Sequence, residues 1–151
     1  MRIFRNLFFT LSFLAYGLAF AAGENGEWSE NYQAGLETAQ KEGKSVLLLF
    51  TGSDWCPPCQ FMDKNVFGTD AFEEFASEEL VLVKADFLRR TPQDATIKAQ
   101  NAELAEEYGI EAFPTVFILS PEGKILHKEM GAQHRSPSSF IAMVNDATAK
   151  S

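Results

Sequence analysis

Apolar residues occur in this chain as short uninterrupted runs, separated by segments in which they recur at helical spacing. The runs at residues 46–50 and 80–83 have no polar alternation, which is typical of strands covered on both faces of a sheet. They predict strands over residues 45–51 and from residue 80 to near Asp86. Residues 115–119 predict a third strand, and residues 124–130 predict a fourth that follows a tight turn at residues 120–123.

Five segments show the spacing of helices that bury one face. Residues that start or stop helices bound several of them, among them Ser29, Pro57 and Gly43. The predicted helices cover residues 29–42, 57–67, 69 or 70 through 76, 91–108 and 138–148. A right-handed crossover makes the first two strands parallel, and the hairpin adds two antiparallel strands. The order of elements therefore predicts an α/β fold with a central mixed four-stranded sheet and helices on both faces.

The first 21 residues differ from the rest of the chain. Arg2 and Arg5 precede an uncharged apolar run over residues 7–20, and Ala19 and Ala21 supply the small side chains that a signal peptidase requires. The run is shorter than the roughly 20 residues that span a membrane, so an uncleaved anchor is the weaker alternative. The sequence predicts a signal peptide at residues 1–21, a single domain at residues 22–151, export to the bacterial periplasm and no stable membrane insertion after cleavage.

Charge narrows the range of partners. The chain has 21 acidic and 13 basic residues and a net charge of −8. An acidic surface disfavours nucleic acid and anionic lipid, and no nucleic-acid partner is expected.

The only two cysteines, Cys56 and Cys59, lie where the first strand gives way to a helix. A free thiol has a pKa of about 8.5, and lowering it by about two units requires about 2.7 kcal/mol of thiolate stabilisation. The unpaired N–H groups and dipole of the helix start favour a thiolate at Cys56. Cys59, one turn further in and expected to be more buried, is suited to resolve a mixed disulfide. A purely structural disulfide is the weaker interpretation, because so short a spacing cannot join distant parts of the chain.

A metal site or a haem site is the alternative to a redox pair at these cysteines. His127 and His134 are seven positions apart, outside the usual spacing of about three to five for a zinc site, and both are expected at the surface. Gln60 after Cys59 excludes a haem-attachment motif. The sequence therefore predicts neither a metal nor a cofactor.

Three separated motifs carry a resemblance to a known family. The segment Trp55-Cys56-Pro57-Pro58-Cys59 is followed by Tyr108-Gly109-Ile110, by Phe113-Pro114-Thr115 and by the glycine of Met130-Gly131-Ala132. Over about residues 45–147 the chain resembles the thioredoxin superfamily. It is most similar to small exported thioredoxin-like proteins and to the periplasmic C-terminal domain of the transmembrane thiol–disulfide interchange protein. The resemblance implies a thioredoxin-like three-layer fold, whose sheet a fifth edge strand could extend.

The resemblance also implies a site. Cys56 and Cys59 would be catalytic, and Pro114 would be cis and lie against them. Phe113 would pair with an extended substrate, and Trp55, Pro57 and Gly131 would border the substrate groove. Thioredoxin proper has a buried aspartate and a partner lysine that help to move a proton; the corresponding residues here are Leu49 and Leu82.

These residues lead to a functional hypothesis: an exported thiol–disulfide oxidoreductase that reduces or interchanges disulfides in exported protein substrates and is recharged by an upstream redox partner protein. Two alternatives stay open. One is an oxidase that donates its disulfide, and the other is a peptide-binding or chaperone module whose cysteines act as a redox switch. The sequence does not set the redox potential.

Overall fold

The computed structural model describes residues 27–150, and the predicted signal peptide lies outside them. The elements follow one another in the order α1, β1, α2, α3, β2, α4, β3, β4 and α5, and α2 continues into a π-helical turn over Asp63–Phe67. The strands are Ser45–Thr51, Leu80–Asp86, Thr115–Leu119 and Ile125–Met130. The helices are Tyr32–Glu42, Pro57–Met62, Asp70–Glu79, Ala95–Glu107 and Pro137–Thr148.

The four strands form one mixed sheet in the order β2-β1-β3-β4. Strand β1 pairs parallel to β2 and antiparallel to β3, and β3 pairs antiparallel to β4. This topology confirms the predicted crossover and hairpin. At the outer edge of β2, where a fifth strand would lie, the described chain has an isolated bridge between Ser29 and Val83.

Strand β1 lies between two apolar layers because its side chains alternate between them. Leu47 and Leu49 point into a core that α3 and α5 cover, where Phe72 and Phe140 pack edge to face. Val46, Leu48 and Phe50 point into the opposite core, which α1 and α4 cover. Residues 46–51 are all buried. The uninterrupted apolar run is therefore explained by helices on both faces of the central strand.

The helix starts differ from those expected from the sequence. Helix α1 is capped by Asn31, whose side chain accepts the N–H of Ala34 at 2.9 Å. Ser29 was the wrong cap, because its main-chain N–H and C=O are bonded to β2 instead. Helix α4 begins after Asp94, which accepts the N–H groups of Thr96 and Ile97. Within residues 27–150, no helix combines the length and the apolar character that crossing a membrane requires.

Candidate active site

The cysteine pair lies at the carboxyl end of β1, where the chain turns into α2. Cys56 is the N-cap of α2 and has extended backbone angles, while Pro57 and Pro58 fill the first two helical positions. Cys56 and Cys59 form a disulfide with a Cα–Cα distance of 5.3 Å. Both residues are buried, at 3% and 2% exposure. Cys59 was expected to be more buried than Cys56, and in this disulfide state the difference is very small.

The two prolines limit the number of helical N–H groups that can donate to the Cys56 sulfur. Neither has an N–H group, and the N–H of Gln60 is bonded to the Cys56 carbonyl at 3.0 Å. Cys59 is therefore the first residue of α2 whose main chain can donate towards the Cys56 sulfur. The helix start contributes one directed donor there, together with its partial positive charge.

A tight turn holds Cys56 at the end of the strand. The carbonyl of Gly52 accepts the N–H groups of Trp55 at 3.2 Å and Cys56 at 2.9 Å. A Cβ atom on Gly52 would lie 2.5 Å from the Trp55 indole, so the turn requires glycine. Ser53 donates its N–H at 3.0 Å and its hydroxyl at 2.5 Å to the carboxylate of Asp86, which is buried at the end of β2. The turn is thus fixed to the neighbouring strand.

Asp54 joins the same turn to the loop between β2 and α4. Its carboxylate accepts the main-chain N–H groups of Arg89 at 3.1 Å, Arg90 at 2.7 Å and Thr91 at 2.9 Å. Desolvation acts to raise the pKa of Asp54, but these N–H groups outweigh it and hold the pKa below its ordinary value. This geometry gives Asp54 a structural role, that of joining the cysteine turn to the loop after β2.

Aromatic side chains form one wall beside the cysteines. The indole N–H of Trp55 donates to the carbonyl of Phe87 at 2.7 Å. The ring of Phe113 lies 5.8 Å from Trp55 and 5.1 Å from Phe87, centroid to centroid. The guanidinium group of Arg89 lies 3.4 Å above the Trp55 ring. The structure therefore brings the predicted residues Trp55 and Phe113 into contact.

The peptide bond between Phe113 and Pro114 is cis, the isomer that the resemblance implies. Thr115 pairs with Phe50, which places this segment at the end of β1 where the cysteine turn begins. Gly131 has a φ of 78° and donates its N–H to the Pro114 carbonyl at 2.7 Å. The main-chain N–H and C=O of Phe113 have no hydrogen bond among the described residues. The roles of these residues and of the exposed Pro57 in substrate binding stay predictions.

Leu49 and Leu82 occupy the positions of the aspartate and lysine of thioredoxin proper. They are 4% and 3% exposed and belong to the same core cluster as Met62 and Val116. Two apolar side chains thus fill the space that a charged pair would need. Burying one charge without the other would be costly, which explains why both are absent together.

A buried carboxylate that the sequence analysis missed lies on β4. Glu129 is 5% exposed, and its Oε2 is 3.1 Å from Nε2 of His134 and 3.9 Å from Nε2 of His127. His134 also contacts the Ser139 hydroxyl at 2.6 Å. Both histidines were expected at the surface; their side chains are about one-third exposed, and the remainder packs beside this carboxylate. The alternation of His127 and Glu129 along one strand was the available signal.

Comparisons with known proteins agree with this geometry. The family model described as a thioredoxin-like domain matches residues 32–148. The disulfide bond reductase DsbH of Chlamydia pneumoniae is 32% identical over 126 residues, which cover 83% of this chain and 75% of that protein. A solved structure of a DsbH oxidoreductase superposes with a TM-score of 0.75 at 30% identity, over 82% of this chain and 84% of the other. The reduced C-terminal domain of Neisseria meningitidis DsbD has a TM-score of 0.58 at 24% identity, over 76% of this chain and 92% of that one, which supports the fold alone.

Proposed function

The chain belongs to the thioredoxin-like domain family and is a thiol–disulfide oxidoreductase of that family; we propose that it is exported and that it reduces or interchanges disulfides in other exported proteins. The observation that carries the proposal is the Cys56–Cys59 disulfide at the first turn of α2. The name of the Chlamydia pneumoniae relative, a disulfide bond reductase, supports the reducing direction. The apolar run and small residues of the first 21 positions support export.

The proposed reaction starts from the dithiol. The Cys56 thiolate attacks one sulfur of a substrate disulfide, a mixed disulfide forms and the other substrate sulfur leaves as a thiolate. Cys59 then loses its proton and attacks the Cys56 sulfur, which closes the Cys56–Cys59 bond and releases the second substrate thiolate. Two electrons have passed to the substrate, so an upstream dithiol protein must return two electrons before the next cycle.

The main chain at Phe113 supports the proposed mode of substrate binding. Its free N–H and C=O can pair with an extended peptide as an added strand. Trp55 stands on one side of this segment. Gly131 is bonded to the Pro114 carbonyl, and Pro57 is exposed at the start of α2. Such pairing would hold the substrate cysteine in an extended conformation for attack by Cys56.

Trapping tests the assigned roles of the two cysteines. Cys59→Ser should accumulate mixed disulfides with protein substrates, because the captured sulfur cannot be released. Cys56→Ser, the matched control, should trap few adducts. Adducts are counted on non-reducing gels and identified by mass spectrometry, and equal trapping by the two variants would contradict the roles.

The redox potential separates the reductase from the disulfide-donating oxidase. A value of about −270 mV is typical of thioredoxin and one of about −120 mV of a strong oxidant, a difference of about 7 kcal/mol for two electrons. We expect the lower value. A potential near the oxidising end would favour the oxidase.

Two further measurements test the rest of the proposal. Catalysed reduction of insulin is expected, whereas a peptide-binding or chaperone module with a redox switch would show no turnover. Determination of the mature N-terminus should give Ala22, the residue after the predicted cleavage site. An intact N-terminus in exported protein would instead support the anchor.

A further inference from the structure

The arginines of the described chain are confined to two loops beside the cysteine turn. Arg89 and Arg90 lie in the loop between β2 and α4, and Arg135 lies in the loop between β4 and α5. The first loop is bonded to the cysteine turn through Asp54. The second loop begins at Gly131, whose N–H is bonded to the Pro114 carbonyl. All three side chains are exposed.

Two of these arginines are held by aromatic side chains that flank the disulfide. The guanidinium of Arg89 lies 3.4 Å above Trp55, the residue before Cys56. The guanidinium of Arg135 lies 4.2 Å above Phe61, two residues after Cys59. Stacking uses the flat face of a guanidinium and leaves its in-plane N–H groups available to a carboxylate. These groups are therefore oriented before any ligand binds.

Contacts of neighbouring residues and of the main chain hold both loops in place. Asp54 accepts the N–H groups of both Arg89 and Arg90, and its oxygens are thereby occupied. His134, which precedes Arg135, is held 3.1 Å from the buried Glu129. Little conformational entropy would then be lost when the stacked side chains of Arg89 and Arg135 bind a ligand.

None of these guanidinium groups forms an ion pair within the described residues. The ion pairs found there involve Lys44, His127 and His134, and none involves an arginine. This is unexpected in a chain with 21 acidic and 13 basic residues, where carboxylates are plentiful. The one carboxylate bonded to the first of these loops, that of Asp54, binds main-chain N–H groups, which leaves three guanidinium groups without a carboxylate partner among the described residues. They form a cluster of positive charge in the loops next to the cysteine turn of an acidic protein.

We propose that Arg89, Arg90 and Arg135 form a cationic rim that selects substrate segments with acidic side chains next to the target cysteine. The inference rests on the proposed function and deepens it by naming a substrate class. The overall negative charge repels an acidic segment from most of the surface, whereas the rim attracts it at the disulfide. Bidentate pairing of a substrate carboxylate with a stacked guanidinium would fix the segment near Cys56.

Synthetic peptide disulfides test the rim directly. Three peptides differ only in having glutamate, glutamine or lysine on either side of the cysteine, and the second-order rate of their reduction by the purified, reduced protein is measured. At low ionic strength the glutamate peptide should react about tenfold faster than the glutamine peptide, within the range known for electrostatic steering. The preference should fall below about twofold at 0.5 M salt.

Variants assign the preference to the arginines. Arg90→Gln should lower the glutamate-to-glutamine rate ratio by about twofold to threefold, and substitution of all three arginines by glutamine should abolish the preference. Lys124→Gln is the matched control, because it removes one charge near the β3–β4 turn at the opposite end of the sheet. It should leave the ratio unchanged.

Three results would overturn the rim. They are equal rates for the glutamate and glutamine peptides, a preference that survives in the triple variant, and a fall in rate that is the same for all three peptides. The last would show that the arginines act on Cys56 rather than on the substrate. Reduction of all peptides without preference would reject the rim alone, whereas no reduction of any peptide would reject the proposed function as well.

Discussion

Replacing Leu49 by aspartate would place a carboxyl group in the core at the position where thioredoxin proper has one. Leu49 is 4% exposed and packs with Met62, Leu82 and Val116, all of which are apolar. No apolar member of this cluster can pair with a carboxylate, and the charged residue beside Leu49 on the same face, Lys84 of β2, is partly exposed to solvent. We therefore expect the Lys84 ammonium group to stay in solvent and Leu49→Asp to fold only with its carboxyl group protonated.

The cost follows from this environment. An ordinary aspartate has a pKa of about 3.9, so keeping it protonated at pH 7 costs about 4 kcal/mol. Loss of the buried leucine adds about 2 kcal/mol. The total of about 6 kcal/mol approaches the whole stability of many domains of this size. Because the folded-state pKa is raised, the ionisation cost falls as the pH falls, to about 0.5 kcal/mol at pH 4.

Urea unfolding of the disulfide form at pH 7 and pH 4 measures the effect. Leu49→Asn is the matched control, because it has a similar size and polarity but cannot ionise. The difference in unfolding free energy between the two variants should be several kcal/mol at pH 7 and should nearly vanish at pH 4. Adding Leu82→Lys should recover part of the loss at pH 7. If the Asp and Asn variants lose the same stability at both pH values, water or the Lys84 ammonium group reaches the carboxylate and the reasoning is wrong.

Three smaller changes test other contacts. Asp54→Asn should speed hydrogen exchange at the amides of residues 89–91. Because the folded-state pKa of Asp54 is lowered, its carboxylate stabilises the fold above the ordinary pKa of 3.8, and this stabilisation is lost as the pH falls through the lowered pKa. Acid unfolding curves should show that the variant lacks this stabilisation. His134→Ala should cost about 1–3 kcal/mol in urea, because Glu129 loses a buried partner, whereas an unchanged midpoint would mean that water replaces the imidazole. Gly131→Ala should cost about 1 kcal/mol from its left-handed backbone alone, because an added Cβ would meet no atom within 4 Å; a much larger loss of stability would contradict this.

The sequence could predict the strands because their signal is local. The apolar runs of β1 and β2 have no alternation, and the bounds of both strands match the prediction. The cap of α1 could not be placed in the same way, because Ser29 and Asn31 are equally good caps by residue type. Pairing of Ser29 with Val83 decided between them, and that contact joins residues far apart in the chain.

The sequence by itself determined the disulfide pair and its place at the start of α2, because Cys56 and Cys59 lie within one helical turn and Pro57 favours a helix start. Only the tertiary structure decided that Asp54 binds the loop of Arg89 and that Glu129 is buried with His134. Residue type alone predicts a solvated position for each of these charged groups. Asp54 and Glu129 differ from this prediction because the strand order brings distant loops together at one end of the sheet. A buried or bridging carboxylate is stable only where hydrogen-bond donors or cationic side chains pair with it.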